Sequence, residues 1–125
     1  MLTVFSTLSL WRVGATLGST GILLGTYGSH GLKKVDPALL KNWQTAVNYQ
    51  FIHALAILYL SNARHPITDR PPLLAGTLMT VGTTMFSGTL YLKVLSDKAR
   101  ASRILAPVAP LGGLLMCAGW AFLWF

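Results

Sequence analysis

Charged residues are scarce in this sequence, and acidic residues most of all. Only 10% of the residues are charged, and Asp and Glu together number three. A soluble domain carries roughly 25% charged residues, so this scarcity argues against an ordinary water-exposed surface. The chain also has a single cysteine, Cys117, which excludes an intramolecular disulfide. Its 125 residues are enough for one domain, and we treat residues 1–125 as that domain.

The few charges leave four long uncharged windows. Each window holds 20 or 22 residues, and they cover residues 13–32, 42–63, 71–92 and 104–125. A helix needs about 20 mainly apolar residues to cross a bilayer. The sequence therefore predicts an all-α fold, a membrane-embedded antiparallel four-helix bundle, because short loops make consecutive helices antiparallel neighbours. The predicted spans are about 9–30, 37–63, 73–92 and 104–125. A soluble bundle of unusually apolar helices is the alternative.

The basic residues predict an orientation in the membrane. Seven of them fall in the first and third loops: Lys33, Lys34, Lys41, Lys93, Lys98, Arg100 and Arg103. The positive-inside rule places these loops in the cytoplasm or the mitochondrial matrix, with both termini on the opposite side. The net charge of +7 thus indicates lipid headgroups as partners and not nucleic acid. No Lys or Arg precedes the first apolar stretch, so we expect the N-terminus to be retained.

Small residues lie at helical spacing in three of the spans. In the first span the glycines follow one another at intervals of 4, 3, 4 and 3, which places them on one stripe. Weaker stripes in the third and fourth spans include Gly88 and Gly113. Small residues let membrane helices approach closely. These stripes either face each other within one bundle, or the first one faces a second copy or another protein. The predicted packing glycines are Gly14, Gly18, Gly21, Gly25, Gly28, Gly88 and Gly113.

The first half of the second span is polar on all sides. Such a segment cannot face lipid comfortably, so it is buried in protein, lies among headgroups or lines a wet cavity. His53 lies about 18 Å along the helix from Lys41, near the middle of the membrane, and an ionisable residue there is a functional candidate. A neutral imidazole that bridges helices is the alternative. The candidate polar cluster comprises His30, Gln44, Asn48, Tyr49, Gln50 and His53.

The sequence contains no recognisable catalytic or metal-binding pattern. His30 and His53 are expected over 10 Å apart along the helix axes, which argues against a shared metal or haem. No Asp or Glu falls in a predicted span, although ion-coupled pumps usually carry buried carboxylates there. We therefore predict no catalytic residue, no metal and no cofactor.

Several segments in a fixed order carry a family resemblance. They read RVGA, GTYGSHGL, WQTAVNYQFIHALA, GTTMFSGTLY, APLGG and GW, at residues 12–15, 25–32, 43–56, 82–91, 109–113 and 119–120. This order resembles the small membrane proteins catalogued as domain of unknown function 423, whose members include bacterial inner-membrane proteins and the animal transmembrane protein 256. Ser29 departs from the alanine that the family often has. The resemblance implies a four-helix membrane protein and implies no activity.

Three functions remain open at this point. The first is a non-catalytic accessory or assembly subunit of a larger membrane complex, such as one of the respiratory chain in the mitochondrial inner membrane, which would bind other subunits or a second copy. The second is a small carrier, or a lipid or quinone binder, with a polar pocket where the end of helix 1 meets helix 2. The third is an enzyme with His30 or His53 as acid or base, which lacks a partner carboxylate or nucleophile.

Overall fold

The computed structural model describes residues 6–96 and 103–125. Within these residues all regular secondary structure is helical, which confirms the all-α class. The four helices are α1 (Thr7–His30), α2 (Pro37–Asn62), α3 (Leu73–Leu95) and α4 (Val108–Ala121). α4 is shorter at both ends than the predicted span 104–125. Two basic residues of the third loop, Lys98 and Arg100, lie outside the described residues.

Local sequence signals explain where the helices begin. The hydroxyl of Ser6 accepts a hydrogen bond from the backbone N–H of Ser9 at the start of α1. Asp36 caps α2 in the same way, and Pro37 occupies the first helical position, which needs no N–H donor. Ahead of α4, a helical turn at residues 103–105 is interrupted before Pro107. Pro110 therefore falls in the first turn of α4, where proline is tolerated.

The glycines of α1 face α2. A Cβ added to Gly14 would lie 2.7 Å from Cγ of Leu58, and one added to Gly21 would lie 3.3 Å from the ring of Phe51. A Cβ on Gly28 would overlap the indole of Trp43. These three glycines are seven residues apart, so they share one side of the helix. We expected this stripe to face the small residues of the third and fourth spans or another chain; in the structure it contacts the neighbouring helix.

Three of the other predicted packing glycines make little or no contact. An added Cβ would meet no atom within 4 Å at Gly18 or at Gly88, and at Gly113 it would lie 4.0 Å from Phe86. Gly25 is closer, with a Cβ 3.5 Å from Val47. Within the described residues no other helix comes close enough to Gly18 or Gly88 to meet an added Cβ, so their assignment to packing stays a prediction.

Glycines that the sequence did not single out bring α3 and α4 together. A Cβ on Gly82 would lie 2.7 Å from both the carbonyl oxygen of Gly112 and the backbone nitrogen of Met116. A Cβ on Gly119 would lie 2.7 Å from Cγ of Met79. Since the first two contacts are to backbone atoms, a side chain at Gly82 could be accommodated only by moving the helices apart.

α2 and α3 occupy the centre of the fold. α1 packs mainly on α2 and touches α3 lightly, and α4 packs mainly on α3. The buried apolar side chains form two clusters, to which both central helices contribute. One cluster comprises Leu10, Ile57, Leu60, Ala75 and Met79. The other, which we call the Trp43 cluster, comprises Leu32, Trp43, Ala46, Val47 and Tyr91.

Many large apolar side chains point outward. Ile22, Leu23, Leu55 and Leu114 are each more than 60% exposed. Within the described residues two helical segments, Leu73–Leu95 and Arg103–Ala121, are long and apolar enough to cross a membrane by length and composition. α1 and α2, at 24 and 26 residues, are also long enough to cross a membrane, but they are less apolar. Their lower hydropathy follows from the Gly, Ser and Thr of α1 and the Asn and Gln of α2.

The contact between α3 and α4 predicts opposite effects of alanine at two glycines of α3. Gly82→Ala should destabilise the protein by about 1–3 kcal/mol, because the new methyl group overlaps the backbone of α4. Gly88→Ala adds the same methyl group in open space, so it should leave stability unchanged or raise it by up to about 1 kcal/mol through helix propensity. Denaturant unfolding of the purified variants measures both, and equal effects would contradict the close backbone contact.

Candidate functional site

The amide of Gln50 joins three helices. Its nitrogen donates to the carbonyl oxygen of Leu17 at 2.8 Å and to the hydroxyl of Thr20 at 2.9 Å, both on α1. Its oxygen accepts a 2.7 Å hydrogen bond from the hydroxyl of Tyr91 on α3. Gln50 is only 3% exposed. A buried amide without partners would cost several kcal/mol in an apolar environment, so these contacts position α1 and α3 against α2.

Trp43 fills the space where the end of α1 meets the beginning of α2. Its indole N–H donates to the carbonyl oxygen of Leu24 at 2.9 Å. The ring centroid lies 4.7 Å from that of Tyr91 and 5.7 Å from that of Tyr27. Trp43 is 2% exposed, and Gly28 leaves the room for it on α1. The place where we expected a polar pocket is therefore filled by an aromatic side chain.

His53 links α2 to α4. Its Nδ1 lies 2.8 Å from the carbonyl oxygen of Tyr49, and its Nε2 lies 3.2 Å from the indole nitrogen of Trp120. A carbonyl only accepts and an indole N–H only donates. These two contacts are satisfied together by the neutral imidazole with its proton on Nδ1. The geometry therefore matches the bridging alternative for His53, a neutral ring that connects two helices.

The members of the predicted polar cluster do not lie together in the structure. Gln50 and His53 are buried, whereas Gln44 and Asn48 lie on an exposed face and bond to each other at 3.0 Å. Tyr49 is 42% exposed, with its ring 4.8 Å from that of Phe86. His30 is exposed at the end of α1. The structure thus brings Gln50 and His53 into the interior and leaves the other four members outside it.

The residues that complete these contacts come from other helices and were not among the predicted site residues. They are Leu17, Thr20 and Leu24 of α1, Ser87 and Tyr91 of α3, and Trp120 of α4. Ser87 donates to the carbonyl oxygen of Ala46 at 2.8 Å. Near it, the hydroxyl of Thr83 is buried without a hydrogen-bond partner. A spacing of four residues places Ser87 and Tyr91 on one face of α3, and this was the one sequence signal for the pair.

The arrangement provides hydrogen bonds between helices. Among the cavities between the described residues, four of about 180 to 530 Å³ lie at the ends of the helices, and these four have no member of the predicted polar cluster in their walls. Within the described ranges, no three His, Cys, Asp or Glu side chains come together where they could hold a metal ion. The chemistry of the site is the pairing of buried polar groups.

The fold and its buried contacts define a small all-helical protein with apolar outer faces and polar contacts between its helices. The model of the family described as protein of unknown function (DUF423) matches residues 24–113. The chain belongs to this family, as the motifs in its sequence indicated.

Relatives of this chain carry the name UPF0382, and three of them show the extent of the similarity. A membrane protein from Schizosaccharomyces pombe is 43% identical over 117 residues, 91% of this chain and 97% of the relative. A membrane protein from Staphylococcus haemolyticus is 35% identical, with 89% of this chain and 88% of the relative covered. The inner membrane protein YgdD of Escherichia coli is 36% identical, with 87% and 81% covered. No solved structure matches the chain. These relatives make the chain a small membrane protein.

The shared hydrogen bond between Gln50 and Tyr91 predicts non-additive mutations. Gln50→Leu should destabilise the protein by about 1–3 kcal/mol, because it leaves buried groups on α1 and α3 unpaired. Tyr91→Phe should cost less, and the double variant should differ from the sum of the two by about 1 kcal/mol. Unfolding of the four proteins in the same detergent measures this coupling. Gln44→Leu, on the exposed face, is the control and should have little effect; strict additivity would mean that the bond contributes nothing.

Proposed function

We propose that this chain is a non-catalytic integral membrane protein that crosses the bilayer four times as an antiparallel bundle. We further propose that it serves as an accessory or assembly subunit of a larger membrane complex, in the mitochondrial inner membrane or its bacterial counterpart. The pairing of the helices supports the four-span arrangement, and the outer face of α1 supports the accessory role.

The order of the contacts supports the antiparallel arrangement. Gly14 near the start of α1 meets Leu58 near the end of α2, while Gly28 near the end of α1 meets Trp43. α3 and α4 follow the same rule, since Gly82 meets Gly112 whereas Met79 meets Gly119. At 1.5 Å per residue, α1 and α2 are about 36 Å and 39 Å long, enough to cross a hydrocarbon core of about 30 Å.

The buried polar groups of α2 are the observation that carries the non-catalytic function. The amide of Gln50 and both ring nitrogens of His53 are engaged with backbone or side-chain atoms of the protein itself. A catalytic group or a ligand-binding group must instead present a free atom to its substrate. The same contacts disfavour the polar pocket of a carrier or quinone binder at this place, because opening it would break the bonds between helices.

The outer face of α1 supports a role in assembly. α1 packs mainly on a single helix, α2. Beside this contact Ala15, Ser19 and Ile22 are exposed, and Gly18 has open space around it within the described residues. Small residues in the membrane allow a second helix to approach closely and to pack by van der Waals contact. We propose that a transmembrane helix of another subunit occupies this face.

The relatives and the loop charges support the location. The Escherichia coli relative is named an inner membrane protein, and a relative occurs in Schizosaccharomyces pombe. Lys33, Lys34 and Lys41 lie in or next to the first loop, so the positive-inside rule favours the matrix or cytoplasm for that loop. Both termini then lie on the opposite side.

The accessory role predicts that the native protein migrates with a large complex. After gentle solubilisation, the tagged wild-type chain should run on a native gel far above its own mass of 13.5 kDa. Gly18→Leu should release it from the complex, because the larger side chain fills the space for the partner helix. A wild-type protein found only as a free monomer would contradict the role.

Gly88→Leu is the matched control for this experiment. It introduces the same side chain in equally open space, but on α3. We expect Gly88→Leu to stay with the complex, and both variants to keep wild-type helix content by circular dichroism. Joint release of the two variants would mean that α1 is not the specific docking face.

The orientation predicts opposite labelling of the first and second loops. In a Cys117→Ala background, Thr68→Cys should react with a membrane-impermeant maleimide added outside intact mitoplasts or spheroplasts. Lys33→Cys should react only after the membrane is permeabilised, since loop 1 faces the matrix or cytoplasm. Labelling of Lys33→Cys in intact membranes would reverse the orientation, and labelling of both on one side would rule out a crossing by α2.

A further inference from the structure

One cavity lies where loop 1 and the beginning of α2 meet the end of α3. Its volume is about 530 Å³, within the range of sites that hold small molecules. One wall is apolar and includes Leu32, Val35 and Val94. Leu32 is itself a member of the Trp43 cluster, and Val35 and Val94 pack against it. This wall is therefore held in place by the core of the protein.

The other wall of the cavity is charged. Lys34 and Asp36 line it. The carboxylate of Asp36 already caps α2, accepting a 2.8 Å hydrogen bond from the backbone N–H of Ala38. Lys33 and Lys41 lie nearby in sequence and are exposed. The first loop and the start of α2 thus carry three lysines against one engaged aspartate, so the mouth of the cavity attracts anions.

We propose that this cavity binds an anionic glycerophospholipid, with the phosphodiester at Lys34 and the glycerol and first acyl carbons against Leu32, Val35 and Val94. A lysine ammonium forms charge-assisted hydrogen bonds with phosphate oxygens. Basic pockets between membrane helices on the matrix or cytoplasmic side suit anionic headgroups. The combination of an apolar wall and a wall that carries Lys34, next to the exposed Lys33, matches the junction of a lipid, where the headgroup meets its chains.

This inference rests on the proposed membrane arrangement, which sets the cavity at headgroup depth. The first loop connects the end of α1 at His30 to the start of α2 at Pro37. A cavity beside this loop lies at the end of the helices and not at their middle. A zwitterionic lipid would bring its own cation to a mouth that is already positive, so it should bind less well than a lipid with a net negative charge.

The experiment titrates the purified full chain in detergent with phosphatidylglycerol or phosphatidylcholine and counts bound lipids by native mass spectrometry. We expect one phosphatidylglycerol to bind about fivefold more tightly than phosphatidylcholine, from about one lysine's contribution at a membrane surface. Lys34→Gln should abolish this preference, whereas Lys34→Arg keeps the positive charge and should therefore retain it. Lys33→Gln removes the same charge from a neighbouring exposed position outside the cavity wall, so it should reduce the preference less than Lys34→Gln does.

Three results would overturn the proposal. The first is equal binding of the two lipids by the wild type, and the second is an equal loss of preference in Lys34→Gln and Lys33→Gln. The third is full displacement of phosphatidylglycerol by millimolar inorganic phosphate, which would show a free-phosphate site. The measurement uses detergent-solubilised protein, so it does not depend on a partner complex. Failure here with correct loop labelling would reject the lipid site alone, whereas failure of the labelling would reject the four-span arrangement.

Discussion

The structure depends on the requirement that a buried amide find hydrogen-bond partners. Gln50 meets this requirement with two helices at once, donating to α1 and accepting from α3. A rotation of α2, or a slip along either neighbour, would separate at least one donor from its acceptor. Between membrane helices the hydrophobic effect does not specify alignment, because lipid chains are as apolar as leucine. A single polar side chain therefore fixes the positions of three helices, and Trp43 supports it from the loop 1 side.

The contact between α3 and α4 is built on a different principle. Gly82 and Gly112 bring the two backbones close enough that a methyl group at either position would meet main-chain atoms at 2.7 Å or less. Dispersion forces then act over many atom pairs at short range. His53 and Trp120 add one polar contact from α2 to α4. Close backbone packing therefore joins α3 to α4, whereas hydrogen bonds between buried polar groups join α2 to α3.

The sequence predicted the helices well and their faces poorly, for a physical reason. Gaps between charges mark a helix regardless of which side it turns inward, so the helical segments could be located. Gln44 and Gln50 are the same residue type in the same polar segment, yet only Gln50 meets partners, and those partners belong to helices far away in sequence. Gly112 and Gly113 are adjacent, and only Gly112 contacts the α3 backbone. The seven-residue interval between Gly112 and Gly119 places these two glycines on one side of the helix, and it was the one sequence signal that indicated Gly112 and not Gly113 as the glycine facing α3.

Polar segments could be recognised as unusual, but their role could not be read from composition. An exposed pair such as Gln44 and Asn48 and a buried bridge such as Gln50 satisfy the same hydrogen-bonding rule in different surroundings. His53 illustrates the point, since its two alternatives differed only in what lay opposite its ring. In the structure the group opposite the ring is the indole of Trp120, which lies on α4, 67 residues after His53 in the chain.

The order of contacts along the chain bears on how the protein is made. α1 packs chiefly on α2 and α4 chiefly on α3, while α2 and α3 contact each other between them, so every main contact joins helices that are consecutive in the chain. Such local contacts need little search of chain conformations. During translation the first two helices can pair before the third is made, whereas the hydrogen bond from Tyr91 to the oxygen of Gln50 can form only once α3 is present. Contacts between consecutive helices therefore allow the fold to be assembled in the order in which the helices are synthesised.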